Sequence, residues 1–516
     1  MTKQRQIFQA LAGILCLAIG ALLAIYPTRR YAEHRYIVDA AACHMHLVML
    51  SRTDLPASVD TGTVVLLHGL SANSVIMQYL ARSFAELGLR VFIPDLPGHG
   101  QSPGPFTPDQ AETCTASLLR GLSARGMLVP SRTILAGHSL GGAIALRVAS
   151  RFRPAGVIAI SPAPMIPAHG VGTEDLLYHT LPILVPNTRI LVGRFEPSGL
   201  RANAADLAAH SSRDVTFSVV PYNTHVSVLF SRTVAGEAQT WAARVLSLPD
   251  NNTSLPSRAN LGGFLLGLLG ILLVAGPFLR EMVAKTESAT DAPVASLQPS
   301  ADGTMPSVSR LRAASELALF CLVALQILHY WVPLRILHLW EGDYLASFFL
   351  IVGLGLVLLH LRAARVGFQV RAGILIGAAV AGFLLHFLIT GWFELTVAGA
   401  WLTFQRWARF PLFLVCTFLF LYGLELVAGP VLKWWRRFAF WFALIVLTWL
   451  FLAVGVLYLK SGQILPVLLS PYFGIEFLLS GLGIQLVRRD SASASAAAVF
   501  GAILLAGFCL VLFPLS

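Results

Sequence analysis

A serine placed between two glycines is the clearest chemistry-bearing feature of the sequence. Residues 137–141 read Gly-His-Ser-Leu-Gly, directly after the short apolar run 133–136 and before an amphipathic stretch. A sharp strand-to-helix turn crowds its neighbours, so glycines on either side of a serine allow its hydroxyl to project from the turn. We therefore predict that Ser139 is a nucleophile at the tip of such a turn.

A hydrolytic serine also needs a general base and an acid that orients the base. Glu196 follows the apolar run 189–192, and His225 follows the run that ends near Val220. The order serine, acid, histidine is one in which such residues occur in enzymes with this kind of turn. We predict that Glu196 is the acid and His225 the base, and Asp206 is kept as an alternative acid.

Backbone N–H groups must stabilise the oxyanion that forms during acyl transfer. His-Gly-Leu at 68–70 ends the apolar run 63–67, and Leu140 follows the serine. We predict that the N–H groups of Leu70 and Leu140 form this oxyanion hole.

Short apolar runs alternate with helical stretches around these residues, which is typical of a mostly parallel sheet covered by helices. The predicted strands are 63–67, 90–94, 133–136, 156–160, 189–192 and 215–220, after a possible antiparallel pair at 36–38 and 45–50. The predicted helices are about 73–87, 108–125, 140–152 and 226–246.

Three motifs carry a resemblance to a known family. They are Val-Val-Leu-Leu-His-Gly at 64–69, Asp-Leu-Pro-Gly-His-Gly-Gln-Ser at 95–102 and Gly-His-Ser-Leu-Gly-Gly at 137–142. With them, residues of about 35–248 resemble α/β hydrolases, in the branch that contains monoacylglycerol lipases and related serine hydrolases. The resemblance implies an α/β-hydrolase fold with helices on both faces of the sheet.

The resemblance also implies the same roles for Ser139, His225, Glu196, Leu70 and Leu140. The sequence departs from the family pattern in two places. The acid is Glu where Asp is commoner, and Thr224 stands before the histidine where many relatives have glycine. Asp206 therefore remains the alternative acid. Asp95, His99, His68 and His138 are expected to shape the fold and not to transfer protons.

The composition requires a second, membrane-embedded part. Hydrophobic residues make up 56% of the 516 residues and charged residues only 12%. Nine apolar stretches approach the length of about 20 residues that crosses a bilayer, namely 8–26, 261–279, 313–333, 345–361, 373–392, 410–430, 438–459, 464–486 and 494–514. The first resembles a signal peptide, but Tyr-Pro-Thr-Arg-Arg at 26–30 replaces a small-residue cleavage site, which favours an uncleaved anchor.

The predicted organisation is an anchor at 1–29, an α/β-hydrolase domain at 30–250, a linker at 251–260 and a polytopic membrane domain at 261–516 with a flexible loop at 284–309. Loops retained in the cytoplasm carry an excess of Lys and Arg. If the N-terminus is inside, 14 such residues lie inside (Lys3, Arg5, Arg280, Lys285, Arg310, Arg312, Arg362, Arg365, Arg371, Lys433, Arg436, Arg437, Arg488 and Arg489) and 4 outside (Arg335, Arg406, Arg409 and Lys460). We predict a multi-pass protein of the cell membrane whose hydrolase domain is extracytoplasmic.

Other ligand classes find little support in the sequence. The net charge of +11 is scattered between apolar segments, which argues against nucleic-acid binding. We find no metal-ligand spacing, phosphate loop or nucleotide fingerprint, so no cofactor or metal is expected. Of the six cysteines, Cys43 and Cys114 lie in the water-soluble part and could pair, although a bridge is not expected.

The leading functional hypothesis is a membrane-anchored serine hydrolase that cleaves an ester of a lipid or another amphiphile. The interval 161–188 is short and rich in proline, so a full helical cap is not expected over the site. The membrane surface, or loops such as 392–410, could serve as the lid. The alternatives are an acyltransferase that uses the same acyl-enzyme, and a transporter or sensor with a non-catalytic hydrolase-like domain. Glu425, Glu476 and His386 in the apolar spans keep the last alternative open.

Overall fold

Runs of branched and apolar side chains form one eight-stranded sheet. The computed structural model describes residues 3–40, 43–55, 58, 60–166, 177–209, 214–249, 254–288, 309–330, 335–368, 372–429, 433–459, 461–491 and 493–516. The strands are β1 (Tyr31–Ala40), β2 (Cys43–Arg52), β3 (Thr63–Leu67), β4 (Arg90–Pro94), β5 (Thr133–His138), β6 (Gly156–Ile160), β7 (Thr188–Gly193) and β8 (Val215–Val220).

The sheet is parallel from β4 to β8 and begins with an antiparallel pair. The strand order is β1-β2-β4-β3-β5-β6-β7-β8, and β2 pairs antiparallel with both β1 and β4. Every residue of β3, β5 and β6 is buried, as expected for central strands covered on both faces. The predicted antiparallel pair is present, and both of its strands are longer than predicted.

The helices are α1 (Lys3–Ile25), α2 (Gln78–Ala85), α3 (Pro108–Ala124), α4 (Leu140–Phe152), α5 (Ser198–Ala209), α6 (Arg232–Val245), α7 (Ala259–Ser288), α8 (Arg310–Tyr330), α9 (Gly342–Leu359), α10 (Leu361–Phe368), α11 (Ala372–Thr396), α12 (Phe404–Trp407), α13 (Phe410–Ala428), α14 (Trp434–Leu459), α15 (Leu465–Leu468), α16 (Ser470–Ser491) and α17 (Ala494–Leu512). The predicted helices 108–125 and 140–152 agree with α3 and α4. The helix predicted at 226–246 is divided, because Ser231 ends a 3-10 turn and caps the N-terminus of α6. The sequence analysis did not predict α5.

The chain forms two compact units. The helical unit consists of Met1–Ala18, Gly267–Thr390 and Phe404–Leu510, and the sheet unit consists of Ile19–Leu266, Gly391–Thr403 and Val511–Ser516. Two short segments from the second half of the sequence are therefore part of the sheet unit. The predicted domain boundaries remain a prediction, and most of the loop 284–309 and residues 251–253 of the linker lie outside the described residues.

Eight helices of the described chain are long and apolar enough to cross a membrane, where nine apolar stretches were predicted. They are Lys3–Arg30, Ala259–Met282, Arg310–Tyr330, Gly342–Leu359, Ala372–Thr396, Phe410–Ala428, Trp434–Leu459 and Ala494–Leu512. The ninth stretch, 464–486, falls on α15 and α16. Four charged residues of α16, Glu476, Arg488, Arg489 and Asp490, make it less apolar than the other eight.

Charged side chains inside the helical unit are partly paired. Glu425 is buried on α13 and accepts a hydrogen bond from Arg437 at 2.6 Å, with Arg488 at 3.6 Å. A buried carboxylate needs such partners, because its transfer from water is otherwise costly. Arg437 was counted above as a cytoplasmic loop residue, but its side chain is buried in this ion pair.

A disulfide bond joins β2 to α3, contrary to expectation. Cys43 and Cys114 are bonded to each other across 71 residues of sequence. Sequence alone cannot show that a strand end and a helix face meet. A cross-link over a loop of this length restricts the unfolded chain and is expected to stabilise the fold by about 4 kcal/mol.

We expect a reducing agent to lower the apparent thermal unfolding midpoint of the protein in detergent. The same treatment should leave a Cys43→Ser, Cys114→Ser double variant unchanged, and this variant should unfold at the lower temperature from the start. Intrinsic fluorescence during a temperature ramp measures both. Equal responses of the two proteins to the reducing agent would contradict the bond.

Candidate active site

The predicted nucleophile lies at a strained turn between β5 and α4. Ser139 has φ 52° and ψ −117°, a backbone conformation that non-glycine residues rarely adopt. Its N–H donates to the carbonyl of Ile160 at 3.0 Å, which ties the turn to the end of β6. β5 continues to His138, two residues beyond its predicted end, because Gly137 and His138 pair with β6.

The turn packs directly on the end of β3. A β-carbon at Gly141 would lie 2.3 Å from the carbonyl oxygen of Leu67 and 2.6 Å from that of His68. Only glycine fits this approach without moving α4 away from β3. A β-carbon on Gly69 would lie 3.1 Å from Cβ of Ser139, so the backbone before Leu70 lies beside the serine.

The two predicted oxyanion donors belong to the segments that meet here. Leu140 is the first residue of α4, where a backbone N–H has no acceptor within the helix. The N–H of Leu70, one residue after Gly69, has no acceptor among the described residues. Both donors are therefore free to bind an oxygen atom next to Ser139.

Glu196 and His225 form a hydrogen-bonded pair. The carboxylate Oε2 of Glu196 lies 3.2 Å from Nδ1 of His225, and Oε1 accepts hydrogen bonds from the N–H of Gly193 at 2.7 Å and from the hydroxyl of Ser161. The Glu196 side chain is fully buried, whereas that of His225 is 30% exposed. Nδ1–H therefore donates to a fixed carboxylate, which leaves Nε2 free to accept a proton. The alternative acid, Asp206, lies in α5.

Ser161 was not singled out by the sequence analysis. It directly follows β6 and has φ 47°. Ser161 follows a predicted strand, as Glu196 and His225 do. Serine is too common a residue for this position alone to mark it as part of a site. The contact with Glu196 requires the register of β6 and β7, which the sequence does not display.

Ser139 is linked to His225 through its neighbour His138 and not by a direct hydrogen bond among the described residues. The hydroxyl of Ser139 makes no hydrogen bond to any residue that the structure describes. The ring of the adjacent His138 lies 4.8 Å from the ring of His225, and its Nε2–H donates to the His225 carbonyl at 2.7 Å. Catalytic hydrogen bonds often form fully only when substrate binds, and the roles of Ser139 and His225 stay predictions.

The neighbouring histidines hold loops in place, as the sequence predicted. His68 Nε2 accepts from the Leu96 N–H at 2.9 Å, so its Nδ1–H donates to the Gly69 carbonyl at 2.7 Å. Burial lowers the pKa of His68, and burial together with the neighbouring His225 lowers the pKa of His138 to about 3. Both rings are therefore neutral at physiological pH.

Asp95 connects two loops at the same edge of the sheet. Its carboxylate accepts hydrogen bonds from the N–H groups of Ser74 at 2.7 Å and Gln101 at 2.9 Å. Burial raises the pKa of this carboxyl, but hydrogen bonds from His46 and from these N–H groups, with the nearby His68, outweigh burial and hold it below its ordinary value. In the described part of the chain, no three His, Cys, Asp or Glu side chains are grouped to hold a metal ion.

The alpha/beta hydrolase family model matches residues 64–326, which is half of the sequence. The protein therefore belongs to the alpha/beta hydrolase family. It is 27% identical over 132 residues to the esterase YjfP of Escherichia coli, covering 23% of this chain and 49% of the esterase. It is 29% identical over 163 residues to human monoglyceride lipase, covering 30% of this chain and 53% of the lipase. The chain thus spans about half the length of these two curated relatives.

Solved structures also align with the chain. A serine hydrolase from Xanthomonas campestris, described as lacking a lid, is 18% identical with a TM-score of 0.34 and covers 42% of this chain and 96% of that chain.

The pair of Glu196 and His225 leads to a direct prediction. Glu196→Gln preserves the size of the side chain but removes its charge, so His225 loses its orienting partner. We expect kcat for an ester to fall roughly 10³- to 10⁴-fold, in the range found when the acid of such a triad is replaced. Asp206→Asn is the matched control and should retain activity. Near-normal turnover in Glu196→Gln with loss in Asp206→Asn would assign the acid to Asp206.

Proposed function

We propose that the protein is a membrane-anchored serine hydrolase that cleaves an ester of a lipid or another amphiphile. The observation that carries the proposal is the strained Ser139 turn beside a histidine whose Nδ1 faces a buried, fixed carboxylate. The family membership and the similarity to an esterase and a monoglyceride lipase support hydrolytic chemistry. The eight long apolar helices support membrane anchoring.

In the proposed reaction, Ser139 Oγ attacks the ester carbonyl carbon while its proton moves to Nε2 of His225. The N–H groups of Leu70 and Leu140 bind the resulting oxyanion. The tetrahedral intermediate collapses, the bond to the alcohol breaks, and the alcohol leaves with the proton from His225. Water then attacks the acyl-enzyme by the same steps, giving the carboxylic acid and free Ser139. The negative charge of Glu196 stabilises His225 whenever it is protonated.

A lipid-like substrate is favoured by the surroundings of the site. In the described parts of the interval after β6, residues 161–166 and 177–187, the chain is irregular and contains no helix. Phe195 directly precedes Glu196, and Tyr222 lies three residues before His225; their side chains are 60% and 84% exposed, and their rings lie 6.3 Å apart. Large aromatic side chains exposed this near to Glu196 and His225 in the sequence suit an amphiphilic substrate, because each Å² of apolar surface removed from water contributes about 25 cal/mol.

We further propose that the protein lies in the cell membrane. In this proposal the sheet unit is outside the cytoplasm. The excess of Lys and Arg in alternate loops supports this side. The disulfide between Cys43 and Cys114 supports it independently, because such bonds persist in oxidising compartments and are rare in the cytosol.

The chain segments that make up the sheet unit support a ninth membrane crossing, by α16. Segments 391–403 and 511–516 both cluster with the sheet unit, and we propose that both lie on the same side of the membrane as its sheet. The chain between them must then cross an even number of times, yet it contains three of the apolar helices, α13, α14 and α17. The other long helix between these two segments is α16, and a fourth crossing by α16 makes the number of crossings even.

We expect Ser139→Ala to lose fluorophosphonate labelling and ester hydrolysis, because no other nucleophile is available in the turn. The full-length protein is reconstituted in vesicles, and hydrolysis is measured on a long-chain monoacylglycerol and on a short soluble ester of the same alcohol. Unaltered protein should favour the long chain. The control is Ser131→Ala, an exposed serine before β5.

Labelling of Ser139→Ala equal to that of the unaltered protein would refute the proposed nucleophile. A preference for the short ester would refute the amphiphilic substrate. Products are also analysed in the presence of alcohol and amine acceptors. Transfer of the acyl group to an acceptor in place of release as free acid would identify an acyltransferase.

The proposed orientation predicts which single cysteines a membrane-impermeant maleimide can reach. Ser131→Cys, exposed in the sheet unit, should react in intact cells, or in spheroplasts if an outer membrane is present. Gln4→Cys, exposed at the second residue of α1, should react only after lysis, and the unaltered protein provides the background. The reverse pattern would place the sheet unit in the cytoplasm.

A further inference from the structure

The turn that carries Leu70 is held at both of its ends. At the first end, His68 is hydrogen-bonded to Leu96, as described above. At the other end, the N–H of Ser74 donates to the buried carboxylate of Asp95 at 2.7 Å. Between them Ser71 has φ 60°, a conformation that few side chains favour. The position of the Leu70 N–H therefore depends on how firmly both ends are fixed.

Asn73 connects the second end to a distant part of the chain. Its Nδ2 donates to the carbonyl of Gly399 at 2.7 Å, and its Oδ1 accepts from the Gly399 N–H at 3.1 Å. The same Oδ1 accepts from the N–H of Val75 at 3.1 Å. The side-chain amide thus pairs with both backbone groups of one residue, 326 positions away in sequence. We call this contact the Asn73–Gly399 clamp.

The segment that contains Gly399 is itself fixed within the sheet unit. The N–H of Ala400 donates to Glu394 at 2.9 Å, and the carbonyl of Thr396 accepts from the buried Asn260 at 3.0 Å. A β-carbon on Gly399 would lie 2.7 Å from Nδ2 of Asn73, so a larger residue at position 399 would displace the Asn73 amide from the contact. The clamp therefore joins two segments, the turn that carries Leu70 and residues 396–400, that are each held by further hydrogen bonds.

We propose that Asn73, through the Asn73–Gly399 clamp, is a positioning residue for the oxyanion donor Leu70. The inference rests on the proposed function, since it assigns a role within the same site. An N–H donor stabilises an oxyanion fully only if it is already aimed at the oxygen before the reaction. Release of one end of the turn would allow the Leu70 N–H to move, whereas Ser139, His225 and Glu196 are held by other contacts.

The clamp joins the turn that carries Leu70 to the segment that follows helix α11. Segment 391–403 contains the last residues of α11, one of the eight helices able to cross a membrane. The turn that carries Leu70 is therefore held in part by a segment outside residues 64–326, which the family model matches.

The test uses Asn73→Ala and Gly399→Ala in the full-length protein. Displacement of a catalytic group by about 1 Å can cost on the order of 100-fold in rate, so we expect kcat per active site to fall roughly 10- to 100-fold in both variants. KM should not change, because the turn acts on the transition state. The affinity for a trifluoromethyl ketone, whose adduct places an oxyanion in the same hole, should fall by the same factor as kcat.

Two controls match the chemistry of the changes. Gly262→Ala adds a methyl group in the sheet unit where no neighbouring atom lies within 4 Å. Asn187→Gly removes a side-chain amide that donates to Ala155 at 3.2 Å before β7, at the opposite edge of the sheet, and glycine tolerates the φ of 53° there. Both controls should retain kcat and the inhibitor affinity.

Titration of active sites with a fluorophosphonate separates positioning from folding. A purely structural role would reduce the number of titrated sites and leave kcat per site and the inhibitor affinity unchanged. That result, or unaltered kcat in both clamp variants, would overturn the inference. If a fluorophosphonate titrates no active site in the unaltered protein, or titrates Ser139→Ala equally, the proposed function is overturned, and the positioning role of Asn73 with it.

Discussion

The close approach of α4 to the end of β3 is the constraint on which the candidate site depends. Gly141 packs against the carbonyls of Leu67 and His68, so the strained Ser139 turn lies beside the backbone of Gly69. Parallel strands present their carboxyl ends at one edge of a sheet, and this edge also supplies Ser161, Glu196 and His225. A larger residue at position 141 would separate Ser139, the predicted nucleophile, from the backbone of Gly69 and Leu70, although neither group would itself be changed.

The electrostatics of the site follow from burial of one carboxylate. A fully buried charge is tolerated when hydrogen bonds replace its water shell. Glu196 receives these from the Gly193 N–H, the Ser161 hydroxyl and His225. The neighbouring His68 and His138 are held neutral, and each donates its single N–H to a backbone carbonyl. The ring of His225 uses Nδ1 on Glu196, which leaves its Nε2 for the proposed proton transfer.

Local sequence signals predicted much of this arrangement. The central strands, α3 and α4 were predicted because apolar periodicity and glycine spacing act over a few residues. The pairing of Glu196 with His225 agrees with the order of motifs along the chain. By contrast, Ser161, the bond between Cys43 and Cys114 and the contact of Asn73 with Gly399 depend on residues 35, 71 and 326 positions apart. No local pattern encodes such contacts, which arise only when the tertiary fold brings the segments together.

The pairing of Leu515 with the loop after β4 has a consequence for biosynthesis. The Leu515 N–H donates to the Gly98 carbonyl at 3.0 Å, and its carbonyl accepts from the Phe106 N–H at 2.6 Å. About 400 residues separate the two partners, so at roughly 5 to 20 residues per second a ribosome needs tens of seconds to reach the second after making the first. During this interval the loop lacks its partner strand. Completion of this loop therefore depends on the placement of the last helix, α17, because Leu515 comes soon after its last residue, Leu512, and a chain in which α17 is misplaced would retain a loop without these two hydrogen bonds.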